Sequence, residues 1–340
     1  MAPSRPALRS LILACASAFA CLAWPAATAA DIAVGTALQG RLEAAQSRRW
    51  RVQVPAAHVV QGDFSGPGAV LDLLDAQGRH LRRLADAGHS PQGFTWQAQA
   101  GQQLQLRAGS QGTPYTLQLH RILAPATGPA AQAPRPESQR LQALAQSLAD
   151  GGNTEAFWQE RERQGTPLVE PLSERESLVT FLWRGSPQTR NVRLFGSPSG
   201  EHDPLQRLGV SDVWWVSFRM PSSARLSYRL APDVPRIEGT PQEQRRMILA
   251  TAQRDPLNPR VFPAQADAGL DAFQGYSVLE LPQAPRQPWI DERPGVPAGR
   301  LTQHLLPSRI LGNERAVWLY RPAHAEPQAL LVLFDAHAYR

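Results

Sequence analysis

Four short runs between Trp50 and Leu119 alternate apolar and polar residues, and this pattern leaves little freedom of fold. They are Trp50-Arg-Val-Gln-Val54, Phe94-Thr-Trp-Gln-Ala98, Gln103-Leu-Gln-Leu-Arg107 and Tyr115-Thr-Leu-Gln-Leu119. A period of two puts one set of side chains on one face of a sheet and the other set on the opposite face. Gly, Pro or Asp bounds each run, and Asp75-Ala-Gln-Gly78 supplies a hairpin turn between two apolar strands. With 31 prolines and 25 glycines in 340 residues, the chain favours short strands and turns over long helices. No helix-length pattern interrupts residues 31–123, so this segment is expected to be a small β-sandwich.

Residues 124–136 are rich in Ala and Pro without periodicity and read as a linker. Two short helices are expected next. In Glu137 to Asp150, Leu141, Leu144, Ala145 and Leu148 share a face, and a second helix spans Thr154 to Arg163. Strand signals return in Ser177–Trp183, Asn191–Phe195, Val213–Phe218 and Arg225–Leu230. They predict a second, immunoglobulin-like sandwich with Trp183, Phe195, Trp215 or Phe218 in its core. Thr240-Pro-Gln-Glu243 forms a capping box that opens a helix to Arg254. An extended proline-rich stretch from Leu257 to Pro297 follows, with a strand at Ser277–Leu281.

The last forty residues change character. Arg315–Arg321 reads as a strand, and Ala329-Leu-Leu-Val-Leu-Phe334 is a continuous apolar run. Such a run is expected to be a strand buried on both faces, as in a sheet covered by helices on either side. Residues 301–340 are therefore expected to be the start of an α/β domain that the sequence does not complete. The predicted fold is mostly β with α+β parts: two sandwiches, then the truncated start of an α/β domain.

The first thirty residues read as a secretory signal. Arg5 and Arg9 precede an apolar run from Leu11 to Leu22, and small residues at Ala26–Ala30 offer a cleavage site. A periplasmic or secreted location follows, with no stable membrane anchor after cleavage. Both cysteines, Cys15 and Cys21, would leave with the signal, so no disulfide is expected in the mature chain. The signal removes two arginines and no acid, leaving a formal charge of about +4 from the +6 of the whole. Every basic residue is arginine, a side chain suited to planar anions. No basic stretch is interleaved with aromatics, so nucleic acid is not an expected partner.

Several motifs suggest chemistry that their surroundings do not support. Gly196-Ser-Pro-Ser-Gly200 has proline where a nucleophile elbow needs serine, and reads as a hairpin loop. The eight histidines lack ligand spacing and have no cysteine to assist them, so no metal site or cofactor is expected. Glu201-His202-Asp203 reads as a solvated turn and Glu160-Arg-Glu-Arg163 as a salt-laced helix face.

Specific information lies in longer motifs. Thr166-Pro-Leu-Val-Glu170, Val179–Arg184, Asp212-Val-Trp-Trp215, Leu226–Pro232, Asp255-Pro-Leu-Asn-Pro-Arg260, Val278–Pro282 and Leu311–Pro322 occur in one order. In these the chain resembles the enterochelin esterase family, bacterial enzymes that hydrolyse the trilactone of ferric catecholate siderophores. Residues 137–300 correspond to that family's N-terminal domain with its flanking helices. In Gly40-Arg-Leu42, Arg49-Trp-Arg-Val52, Leu73-Leu-Asp-Ala-Gln-Gly78 and Tyr115-Thr-Leu117, residues 31–123 resemble the pre-peptidase C-terminal type of domain, which implies a jelly-roll-like accessory β-sandwich of the kind found on secreted enzymes.

The resemblance implies a catalytic α/β-hydrolase domain whose serine, acid and histidine would all lie beyond Arg340. The loop after Asp335 would then donate an oxyanion-hole backbone N–H at Ala336 or His337, though the family usually has glycine where this chain has Ala336. A ferric tris-catecholate is a flat-faced trianion, so arginine and aromatic side chains should attract it. Arg184, Trp214 and Arg260 are the candidate substrate-binding residues, with iron present only as part of the substrate. The expected function is thus the N-terminal part of an exported serine esterase that acts on siderophore esters. The alternatives are a secreted esterase of another class (acyl-sugar or feruloyl) and a non-catalytic substrate-binding protein.

Overall fold

The computed structural model describes residues 30–88, 91–126, 135–263, 273, 275–288, 294–310, 313–323 and 329–334. Residues 1–29 of the signal segment and the Ala336–His337 pair lie outside the described residues.

The first sandwich is built as its alternation requires. One sheet runs in the order β1 (Ala30–Ile32), β3 (Ser47–Val52), β8 (Gln103–Ala108), β5 (Ala69–Leu74), β6 (His80–Ala85). Its mate runs β2 (Ala37–Leu42), β9 (Thr113–Leu123), β4 (Val59–Ser65), β7 (Gln92–Gln97). Apart from the parallel β1–β3 pair, the neighbouring strands are antiparallel. Leu104 and Leu106 of β8 point inward while Gln103, Gln105 and Arg107 do not, and Trp50, Phe64, Phe94, Trp96 and Leu117 fill the space between the sheets. β4 shifts register between Gln61 and Gly62. A Cβ on Gly62 would lie 2.5 Å from the Gln118 carbonyl oxygen, so only glycine fits there. Asp72 of β5 is buried beneath His80, Arg83 and Arg107. Burial works to raise its pKa, but Arg83 and Arg107 hold the carboxyl below its ordinary value.

The second sandwich is covered on both outer faces, which the sequence reading did not anticipate. One sheet has the order β10 (Leu168–Pro171), β11 (Glu176–Arg184), β14 (Val213–Pro221), β13 (Gln206–Arg207). The other has β12 (Val192–Gly196), β15 (Arg225–Pro232), β17 (Tyr276–Glu280), β16 (Val261–Phe262). Val179, Phe181, Leu194, Tyr228, Leu230 and Leu279 meet between the sheets. Their neighbours in sequence face outward onto helices. Leu182, Val213 and Trp215 lie beneath α1 (Gln139–Ala149) and α2 (Glu155–Gln164), packed with Leu141, Leu144 and Trp158. Phe195 and Ala231 lie beneath α3 (Pro241–Thr251) with Met247 and Ile248.

The expected core set is corrected accordingly. Trp183 and Phe218 pack at the margin of the inter-sheet core, whereas Phe195 and Trp215 are buried under helices on the opposite faces. The helices start as their caps dictate. Leu141 N–H donates to the Ser138 hydroxyl (3.2 Å). The Thr240 box closes through Thr240 N–H to Glu243 Oε2 (2.8 Å) and Glu243 N–H to Thr240 Oγ1 (3.3 Å). The outer side of α3 lies against β4 and β7 of the first sandwich. Val59 shares one apolar cluster with Phe195, Met247 and Ile248, and Gln97 Nε2 donates to the Pro232 carbonyl across the junction (3.0 Å).

The final segment departs from expectation. β18 (Arg300–Ser308) and β19 (Asn313–Arg321) form a hairpin with Leu301, Leu305, Leu306 and Tyr320 exposed. Ala329–Phe334, expected to be a doubly buried strand, is in no strand, and Leu330 and Phe334 are 82% and 85% exposed. A strand exists only through hydrogen bonds to a neighbour. Among the described residues none is paired with this run.

Candidate functional site

The Asp255–Arg260 signature is the most constrained polar feature of the second domain. It follows α3 directly, after a bridge between Gln253 and Leu230 of β15. Asp255 is 3% exposed. Its Oδ2 accepts from the Thr166 and Tyr228 hydroxyls (2.7 Å each), its Oδ1 accepts from Leu257 N–H (3.1 Å), and its own N–H donates to Ser277 Oγ (2.8 Å). Asn258 Nδ2 donates to Tyr228 Oη and to the Val278 carbonyl (3.0 Å each), and Arg260 N–H donates to Asn258 Oδ1 (2.8 Å).

Among the described residues the hydrogen-bond partners of this carboxylate are neutral, and burial raises its pKa against the pull of the Tyr228, Thr166 and Leu257 donors. Burial, and then the adjacent Asp255 charge, push the Tyr228 phenol well above its ordinary value. The signature thus fastens the end of α2, through Thr166 and Gly165, to the middle of the second sheet. Gly165 closes α2 at φ +83°, a left-handed value that favours glycine. Arg260 projects from this rigid turn, and its guanidinium rests 3.2 Å from Glu280, which also receives Arg225 (2.6 Å).

The other two sequence candidates lie elsewhere. Arg184 ends β11 and is clasped by Glu155 (2.9 Å), Asp212 (3.1 Å) and Glu162 (3.7 Å), with its guanidinium 5.7 Å from the Trp158 ring centre. Trp158 Nε1 donates to Asp212 Oδ1 (3.1 Å), so the same group of side chains ties β11 to α2. Trp214 is 8% exposed and packs in the inter-sheet core, with Arg207 over its ring at 5.9 Å. A Cβ on Gly185 would lie 2.5 Å from Trp214 Nε1, which fixes the indole in place. Arg184, Trp214 and Arg260 therefore hold three separate sets of partners rather than one site.

Two further arrangements had no clear signal in the sequence. Glu201-His202-Asp203 is not a simple solvated turn. His202 stacks on Phe195 (4.8 Å between centroids, 16° between planes). Arg245 of α3 and Arg229 of β15 also lie over the Phe195 ring, at 5.3 and 5.1 Å, and Arg229 lies 4.5 Å from the Tyr276 ring. Burial, then Arg245 and Arg193, lower the His202 pKa. Likewise the Glu160–Arg163 face is not wholly solvent-exposed. Arg161 is 4% exposed, contacts Glu160 (3.0 Å) and Gln164 (2.5 Å), and lines a groove of about 600 Å³ beside β10 with Arg140 and Glu170. These residues are far apart in sequence, so only the tertiary fold brings them together.

Gly196–Gly200 is a turn after β12 in which Ser199 hydrogen-bonds Asp203, as a loop reading requires and a nucleophile elbow does not. The sequence contains no Gly-x-Ser-x-Gly. The described residues offer a rigid scaffold with exposed guanidiniums, which can bind and position an anion.

Residues 178–290 match the family described as enterochelin esterase, N-terminal. The iron(III) enterobactin esterase of Yersinia enterocolitica is 34% identical over 230 residues, covering 59% of this chain and 63% of that protein. The iron(III) salmochelin esterase of Escherichia coli O6:H1 is 31% identical over 217 residues, covering 58% and 50%. The solved ferric enterobactin esterase of Salmonella typhimurium is 27% identical and covers 48% of this chain and 45% of that one, with a TM-score of 0.35. The chain spans between about half and just under two thirds of the length of the curated relatives it matches. The matched segment contains both sheets of the second sandwich apart from β10, together with the signature turn. Over residues 178–290 the chain is thus similar to the N-terminal domain of the enterochelin esterases.

Proposed function

We propose that this chain is the substrate-positioning part of an exported esterase acting on the ester bonds of a ferric catecholate siderophore. The observation that carries the reading is the signature turn, buried through Asp255 and ending in the exposed Arg260, within the segment that matches the family. The names of the relatives, iron(III) enterobactin and salmochelin esterases, support the substrate class. Hydrolysis is assigned to polypeptide outside these residues, since acyl transfer by a serine hydrolase needs an activated nucleophile and the sequence has no elbow motif for one. Export rests on the basic, apolar and small-residue layout of the first thirty residues.

In this reading Arg260, exposed at the end of the signature turn, meets the trianion by charge. Titration of the chain with a ferric tris-catecholate, followed by tryptophan fluorescence, tests it. Binding should exceed that of an uncharged ferric hydroxamate, and Arg260→Ala should raise Kd on the order of tenfold, the loss of one charge-assisted contact. The lactone should remain intact. Equal affinity for both iron complexes sinks the substrate class, and lactone cleavage by the chain alone sinks the division of labour.

A further inference from the structure

The groove beside β10 lies where the start of α1, the end of α2 and β10 meet, and the reading above leaves it unused. Its volume of about 600 Å³ is that of a small-molecule site. All of its lining except Leu178 precedes the segment that matches the family. Two buried side-chain atoms of the lining, Arg161 Nε and Glu170 Oε2, have no hydrogen-bond partner among the described residues. Arg161 is 4% exposed, and its carboxylate partner, Glu160 Oε1 (3.0 Å), is shared with Arg140 (2.8 Å). Glu170 Oε1 accepts the backbone N–H of Arg140 (3.2 Å), which leaves Oε2 unmet. The other charged groups of the lining are met, Arg140 by Glu160 and Glu137 by Arg219. Leaving a buried donor and a buried acceptor unmet is costly, so a ligand that answers both is favoured.

Among the described strands β10 pairs with β11 alone. Leu172 N–H donates to the Glu176 carbonyl (2.9 Å). Antiparallel alternation from that bond turns the backbone of Leu168 and Glu170 toward β11, and that of Pro167, Val169 and Pro171 toward the other edge. Proline has no N–H, so two of those three positions cannot donate to an added strand, and the edge is poorly suited to a peptide. We infer that this groove binds a free α-amino acid with an apolar side chain. Its carboxylate accepts from Arg161 Nε, its ammonium donates to Glu170 Oε2, and its side chain covers Leu172, which is 42% exposed. Burial lowers the Arg161 pKa while Glu160 and Glu170 oppose that shift, so the Glu170 charge is felt at Arg161 and one small zwitterion can serve both. An anion alone would meet Arg161 but face the like charge of Glu170, and an amine alone would face Arg161. The inference does not depend on ester hydrolysis.

The test uses the whole chain at low ionic strength in isothermal titration. The probes are leucine, 4-methylpentanoate, which lacks the ammonium, and 3-methylbutylamine, which lacks the carboxylate. Leucine is expected to bind saturably and on the order of tenfold more tightly than either. Glu170→Gln keeps an acceptor for the Arg140 N–H but removes the charge. It should raise the leucine Kd on the order of tenfold without weakening 4-methylpentanoate, with urea unfolding to confirm that the variant is folded. Arg161→Lys, which replaces the planar fork by a point charge, should weaken leucine and 4-methylpentanoate alike. The inference is overturned if leucine gives no saturable heat, as a groove holding only solvent would, if either of the other probes matches it, or if Glu170→Gln binds leucine as the parent does.

Discussion

Two buried carboxylates in this chain respond to pH in opposite directions because only one of them has cations beside it. Asp72 has Arg83 and Arg107 against it, and its folded pKa lies below the unfolded value of 3.8. Its stabilisation is present above that value and is lost as pH falls through the lowered one. Among the described residues Asp255 has neutral donors, and its folded pKa lies above 3.8. The folded state then binds the proton more tightly than the unfolded chain does. Its contribution is greatest below pH 3.8 and declines as pH rises toward the raised value.

Urea titrations of the parent and Asp255→Asn across pH should therefore show a difference that shifts in favour of Asn as pH rises through that window, while Asp72→Asn loses most at neutral pH. A parent-to-Asn difference that stays flat with pH refutes the Asp255 assignment. Asp255→Ala removes the acceptor for two buried hydroxyls, those of Thr166 and Tyr228, and should cost about 2–4 kcal/mol. The sequence marked the importance of this turn only by resemblance to a family. That its aspartate is a buried clasp depends on Thr166 and Tyr228, residues 89 and 27 positions away, and no local pattern encodes that.

At the scale of elements, strand positions were readable where one face of a sheet is polar. Alternation placed four of the nine strands of the first sandwich, β3, β7, β8 and β9, to within a few residues, because their outward side chains meet water. In the second sandwich the runs Ser177–Trp183 and Val213–Trp215 scarcely alternate, and this absence was itself the signal that both faces are covered. Either tryptophan of the Trp214–Trp215 pair could have been the core residue by composition. The register of β14 sends Trp214 between the sheets and Trp215 under the helices.

At Ala329–Phe334 a continuous apolar run meets no cover among the described residues. β18 escaped notice because Pro307 and the polar Thr302, Gln303 and His304 dilute its pattern. If helix cover supports the second sandwich, Leu141→Ala should cost about 2–5 kcal/mol in urea unfolding, as a fully buried leucine does. Thr240→Ala, which removes the α3 cap, should cost about 1 kcal/mol. A Leu141→Ala loss below the cap's would mean that α1 merely rests on the sheet.

For the molecule as a whole, α3 decides whether the two sandwiches behave as one body. Its inner side covers Phe195 and Ala231 of the second domain, and its outer side meets Val59 of the first, with Met247, Ile248 and Ala250 all buried in that one cluster. A flexible tether would leave such side chains exposed, and a junction sealed by apolar packing and a buried Gln97–Pro232 hydrogen bond should unfold together with both neighbours. Calorimetry of the parent is therefore expected to give one transition. Ile248→Asp places an unpaired charge in the sealed cluster, and it should split that transition into two while each sandwich keeps its own core. Two transitions in the parent would show instead that the domains melt independently.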